Sequence, residues 1–174
     1  MYSSRIISDQ QGKLEKRLGF KLTRHPLDKV EAWVAHLNKA YDHDNKQLRR
    51  ALTPEEDRFI LNETLLSTID YLYHAERYHI IEQDAMEGGG LARFKPWESQ
   101  RIILRKLAEW QEDDYDRLAR KEIAIGVLIA IHKARQLGAT AISRSLSIHR
   151  LSTAKHVRAL AGSVDEDKVM ELYT

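Results

Sequence analysis

Cysteine is absent from the 174 residues, which excludes disulfide bridges and any metal site built on thiolates. A reducing compartment is therefore allowed. No apolar run approaches the roughly 18 residues that a membrane-spanning helix needs. The start, Met1-Tyr2-Ser3-Ser4-Arg5, leads into no signal-peptide hydrophobic stretch. Internal repeats and low-complexity tracts are lacking, and so is charge of one dominant sign. A formal net charge of +2 is too small to imply a nucleic-acid partner by itself.

What is present fits a soluble globule. Hydrophobic residues make up 43% and charged residues 31% of the chain, both ordinary for such a protein. The length suggests one domain, or one domain with an appendage. A chain of this size buries roughly 70% of the surface it exposes when unfolded, enough for a real core. Within residues 1–25, Arg5, Lys13, Lys16, Arg17, Lys21 and Arg24 outweigh Asp9 and Glu15. Such a segment is expected to be a solvated, partly disordered terminus, with contact to DNA phosphates as the sharper alternative.

Beyond Pro26-Leu27-Asp28, apolar residues at Val30, Trp33, Val34, Leu37 and Tyr41 predict an amphipathic helix. Thr53-Pro54-Glu55-Glu56 predicts a second helix start, with Thr53 as cap, Pro54 in the first position and Glu56 closing a capping box. Phe59, Ile60, Leu65, Leu66, Ile69, Leu72 and Tyr73 continue the period, with a break expected near Asn62. Gly88-Gly89-Gly90 then marks the best boundary between a helical region, 1–90, and a second region, 91–174. Pro96 opens another helix, with Ile102, Ile103, Leu107 and Trp110 on its apolar face; Glu112 to Asp116 is expected to be a solvated connection.

The pattern changes at Ile123. The run Ile123 to Ile131 is continuously apolar and rich in β-branched residues, which suits a strand buried on both faces. A polar, glycine-containing loop follows from Lys133 to Thr140, then a helical pattern to Leu151 with Ile142, Leu146 and, as a further candidate, Leu151 inward. His156–Gly162 reads as a second strand and Ser163 as the cap of a last helix. The fold class expected is α/β: a helical N-terminal subdomain, then the start of a parallel sheet.

Strand, polar loop and helix form the context in which a phosphate-binding loop has meaning, because a helix N-terminus presents unpaired N–H groups and a positive dipole end. Gly138 lets the backbone approach a phosphate, and the Thr140 hydroxyl suits a magnesium ion. The standard pattern requires a first glycine and a late lysine; Lys133 and Ala139 stand at those positions. The necessary cation is then supplied from the front of the loop, by Lys133 or Arg135.

The run Lys133-Ala134-Arg135-Gln136-Leu137-Gly138-Ala139-Thr140 resembles the deviant phosphate loop of large terminase subunits, the ATPase motors that package DNA into tailed-phage capsids. Phe94-Lys95-Pro96-Trp97-Glu98-Ser99-Gln100 and the residues up to Leu104 resemble the family's adenine-recognition segment, with Gln100 as the matching glutamine. Asn62-Glu63 and Asp70 to Tyr78 resemble its helical lead-in. The resemblance covers roughly 53–174. It implies ATP and Mg2+ as cofactors, a site drawn from Trp97, Gln100, Lys133, Arg135, Gln136, Gly138, Ala139 and Thr140, and Thr140 at the metal. It further implies double-stranded DNA, a portal protein and the small terminase subunit as partners, an oligomeric motor ring, and a host or bacterial cytoplasm. Family members continue into a second ATPase strand with acidic residues and then a nuclease domain. The sequence ends before either, so nucleotide binding is expected without turnover.

Blander readings stand beside these. Lys133 and Arg135 are also ordinary loop cations, Thr140 an ordinary helix cap, and Gln100 a surface residue. Trp33, Trp97 and Trp110 suit core or half-buried packing, and Asp113, Asp114 and Asp116 a charged turn. His74 and His79 are five apart and lack the spacing of a zinc helix; the eight histidines suggest no ligand set. Residues 139–160 also resemble a helix-turn-helix, with a turn near Ser147 and Arg150, Lys155, His156 and Arg158 toward DNA. Residues 26–85 suit a helical interaction module.

Overall fold

The computed structural model describes residues 3–82, 90–125 and 139–153, with the side chains of 81, 82, 139 and 140 left out. It is mostly helical. The elements are α1 (Ser4–Leu18), α2 (Leu27–Ala40), β1 (Tyr41–Asp42), β2 (Gln47–Leu48), α3 (Pro54–Ile69), α4 (Tyr71–Tyr78), β3 (Ile80–Glu82), β4 (Leu91–Arg93), α5 (Glu98–Ala119) and α6 (Ala139–Thr153). Each sheet is a two-stranded antiparallel pair, β1 with β2 and β3 with β4. No parallel sheet occurs among the described residues.

The N-terminal segment is not a solvated tail. Ser3 caps α1 by accepting from the Ile6 amide, and Gly19 ends it in the left-handed conformation at φ 72°. Ile6 is buried, while Ile7, Leu14 and Leu18 pack against Leu66, Ile69 and Tyr73. Leu66 is fully buried, worth roughly 1.5–3 kcal/mol relative to exposure. Three of the cations expected to face solvent or DNA are tied into the protein: Arg5 to Asp116 at 2.9 Å, Lys13 to Asp9 at 2.7 Å and Arg24 to Asp70 at 2.7 Å.

Helix α3 starts as its sequence predicts. Thr53 Oγ1 accepts from the Glu56 amide, and the Glu56 carboxylate accepts from the Thr53 amide at 2.7 Å. The break expected near Asn62 is absent. Asn62 stays helical and buried because its carboxamide pairs with the backbone of Thr23, accepting from its N–H at 2.7 Å and donating to its C=O at 2.8 Å. The chain breaks at Asp70 instead, whose side chain caps α4 through the Tyr73 amide.

The acidic stretch 112–116 also differs from expectation, being part of α5. Asp113 pairs with Arg117 one turn on, and Asp116 with Arg5 of α1, so the helix carries its charges in ion pairs. The buried face of α5 is Gln100, Leu104 and Ala108; Ile102 and Trp110, expected inward, are exposed. Across the glycine run, β3 and β4 pair in the register Ile80 to Arg93, and one cluster joins Tyr71, Ala75, Phe94, Leu104 and Ile142.

Of the expected strand 123–131, only Ile123–Ile125 are described. They form no regular structure, and Ile123 and Ile125 are exposed. The rest of that strand, the expected strand 156–162 and the last helix lie outside the described residues.

Candidate functional site

Two features carry the sequence-derived site: the start of α6 and the start of α5. Lys133, Arg135, Gln136 and Gly138 lie outside the described residues. Ala139 and Thr140 belong to α6, and Gly138 before them lies outside the described residues.

At α5, Gln100 is nearly fully buried and its Oε1 accepts from the Trp97 amide at 2.8 Å. That bond is half of a capping box, since a tryptophan side chain has no oxygen to return it. Trp97 itself occupies the N-cap position and its ring is about half exposed. Trp110 is likewise exposed, whereas Trp33 stacks on Phe59 with centroids 4.9 Å apart. Phe94 and Leu104 bracket Gln100 and share their core cluster with Ile142 of α6.

The most elaborate polar arrangement lies where α6 meets α3 and α4. Ile142, Ser145 and His149 form the buried stripe of α6, at the three- and four-residue spacing of one helix face. This continuous helix passes through Ser147, so the turn of the helix-turn-helix expectation is absent. Burial of a single stripe from Ile142 to His149 favours unbroken helix there. The Tyr71 hydroxyl donates to Ser145 Oγ at 2.8 Å, and Ser145 Oγ makes a further short contact with His79 Nδ1. His149 Nε2 lies 2.7 Å from the Ser67 carbonyl, which can only accept, so Nε2 carries the proton.

His74 completes a histidine cluster, its ring 4.8 Å from that of His79 and 5.1 Å from that of His149. The sequence separation of these residues gives no hint of it, because α4 and α6 meet only in the folded chain. Burial lowers the pKa of all three imidazoles, to about 4 for His74 and for His79. Each is therefore neutral at pH 7. Among the described residues no set of three histidine, aspartate or glutamate side chains is arranged to hold a metal ion.

A second buried polar group sits beside this cluster. The Glu63 carboxylate accepts from the Tyr73 hydroxyl at 2.9 Å and from the Tyr78 hydroxyl at 2.9 Å. Burial followed by Glu63 raises the Tyr73 pKa to about 12, so the phenol remains a donor. Arg77 lies over the Tyr73 ring, 3.7 Å from its centroid. Near Arg24 and Asp70 a cavity of about 380 Å³ opens, lined also by Ser4, Ile7, Ser8 and Gln11; the two charges there already neutralise each other. Compared with known protein families, characterised proteins and solved structures, the chain matches none.

Proposed function

We propose that the chain is the ATP-binding N-terminal portion of a DNA-packaging motor of the large-terminase type. The observation that carries this reading is the shared core of Phe94, Leu104 and Ile142. Phe94 and Leu104 bound the segment resembling an adenine-recognition stretch, and Ile142 sits one turn into the helix that follows the loop. One rigid cluster thus couples the two parts of the chain that a nucleotide would bridge. The helical state of Ala139 and Thr140 adds support, because a phosphate loop of this kind leads into a helix.

In this proposal the part of the apolar run beyond the exposed, irregular Ile123–Ile125, residues 126–131, is the first strand of a parallel sheet, and residues 133–138 wrap its carboxyl end before α6. Lys133 and Arg135 neutralise β- and γ-phosphate charge, backbone groups around Gln136, Gly138 and Ala139 cradle the phosphates, and Thr140 meets Mg2+. Gln100 and Trp97 flank the adenine. In a complete motor such charge stabilisation drives phosphoryl transfer to water, coupled to movement of double-stranded DNA through a portal. Oligomerisation into a ring and contact with a small subunit belong to the same proposal.

Titration calorimetry with magnesium-ATP tests it. The chain should bind, and Lys133→Ala or Arg135→Ala should weaken binding by about tenfold or more, the worth of one charge-assisted hydrogen bond. A folded chain that releases or absorbs no heat with magnesium-ATP up to millimolar concentration would sink the proposal.

A further inference from the structure

We infer that the packing of α6 onto α3 and α4 is a proton-released latch, held closed while His74, His79 and His149 are neutral. The inference is independent of the nucleotide reading. It stands first on geometry. His79 and His149 are buried, and together with His74 they bring three imidazole rings into contact across the α4–α6 boundary. Each ring leaves one buried nitrogen with no hydrogen-bond partner among the described residues: Nδ1 of His74, Nε2 of His79 and Nδ1 of His149. His149 must keep its proton on Nε2 to serve the Ser67 carbonyl, so its Nδ1 is bare. A proton added there would create a cation with an unsatisfied N–H in a water-poor space.

The surroundings offer little to absorb that charge. From α6, Arg150 opposes protonation of His149. From the junction of α3 and α4, Asp70 favours it, yet Asp70 is already committed to Arg24 and to the Tyr73 amide. Tyr71, whose ring is 5.4 Å from His149, and Tyr78, 5.4 Å from His74, present neutral phenols. The Glu63 carboxylate is turned to Tyr73 and Tyr78. The histidines also oppose one another, since a charge on His149 disfavours one on His79 and on His74. Detaching α6 removes Ser145 and His149 from the interface, opens the other two rings to water and lets all three take up protons.

Every histidine that gains a proton on release raises the opening equilibrium about tenfold per pH unit below its unperturbed pKa of about 6.5. The latch is therefore closed at neutral pH and loosens progressively as the pH falls toward 5. The core cluster of Leu22, Leu66, Ile69 and Tyr73, against which α1 packs, contains none of these rings, and α3 meets them through the Ser67 carbonyl at its last turn.

Hydrogen exchange followed by mass spectrometry on the full chain, from pH 7.5 to 5.0 and corrected for intrinsic rates, reads the opening of α6 separately from α3. The expected result is an α6 opening constant that rises at least tenfold between pH 6.5 and 5.5, ahead of any change in α3. Two variants keep the hydrogen bonds and delete the titration: His149→Gln retains a donor for the Ser67 carbonyl, and His79→Asn retains a partner for Ser145. Each should flatten the pH dependence of α6. Should either variant fail to fold at pH 7.5, nitrogen NMR of the wild-type histidines decides: all three rings should stay neutral below pH 5.5 for as long as α6 remains protected. Unchanged α6 protection in wild type down to pH 5.0, identical pH profiles in the variants, or rings that titrate near 6.5 while α6 stays protected would each overturn the latch.

Discussion

His149 donates its Nε2–H to the Ser67 carbonyl at 2.7 Å, and both residues are buried. Ser67 lies in the last turn of α3, where carbonyls have no intrahelical donor. A side chain of α6 thus caps α3 across the interior. Replacing His149 with leucine removes the donor and strands the carbonyl, so a loss of about 1–3 kcal/mol is expected. Glutamine at the same position reaches the carbonyl and should recover part of it. Urea denaturation at pH 7.5 checks the order: wild type most stable, His149→Gln intermediate, His149→Leu least.

Global stability should carry the same histidines' signature. Burial lowers the folded pKa of His74 and of His79 to about 4, against 6.5 when unfolded. Between those values the unfolded chain binds more protons than the folded one, so stability rises with pH. The contribution is complete above about pH 6.5 and lost as the pH falls from there to 4. Glu56, held far below the usual carboxylate range first by Arg50 and next by the Thr53 amide, adds a loss that begins only below its ordinary pKa of 4.5. Urea midpoints should therefore fall steadily from pH 6.5 downward and be level from 6.5 to 8. A midpoint constant from pH 7 to 5 would contradict the assignment of these rings as buried and neutral.

How legible these features are from sequence depends on the range of the interaction. The start of α3 is readable because Thr53, Pro54 and Glu56 satisfy one another within a single turn. Helix α2 follows from Val30 and Trp33 at helical spacing. Asn62 misleads because its neutral-to-poor helix propensity is local, while its actual partner, Thr23, is remote in sequence. Residues 1–25 mislead because six cations mask the apolar stripe of Ile6, Ile7, Leu14 and Leu18, and because Asp116, which takes up Arg5, is over a hundred residues away. The histidine cluster is invisible for the same reason: positions 74, 79 and 149 form no pattern until α6 docks. Gln100 is the intermediate case, since a cap and an adenine contact demand the same carboxamide at a helix start.

The remote pairing of Asn62 supplies its own test. Its carboxamide serves both the N–H and the C=O of Thr23, holding the segment between α1 and α2 against α3. Asn62→Ala leaves two backbone groups short of partners and should cost roughly 2–4 kcal/mol if water does not replace them. Asn62→Asp keeps the acceptor but loses the donor and sets a second carboxylate beside Glu63, to which Asn62 donates at 3.2 Å. The aspartate variant should thus lose less stability than wild type as the pH is lowered from 7 to 5, because protonation of the paired carboxyls offsets part of the loss from the histidines. Parallel pH profiles of the two proteins in urea would refute this account of Asn62.

Gln100 allows the structural and nucleotide roles to be separated. Its Oε1 accepts from the Trp97 amide at 2.8 Å, so Gln100→Ala should lose about 1 kcal/mol of capping and lower the melting temperature by roughly 2–4 °C. Gln100→Glu preserves the acceptor, and a negative charge suits a helix N-terminus. It should melt nearer to wild type than the alanine variant. What glutamate cannot preserve is the pair of amide donors, which an adenine acceptor would require. If Gln100 reads adenine, Gln100→Glu should bind magnesium-ATP at least tenfold more weakly than wild type, while the two should bind a ribose triphosphate lacking the base equally well. Wild-type ATP affinity in a well-folded Gln100→Glu variant would assign Gln100 to the helix cap alone and move the search for a base-reading group to Trp97, whose ring is exposed beside it.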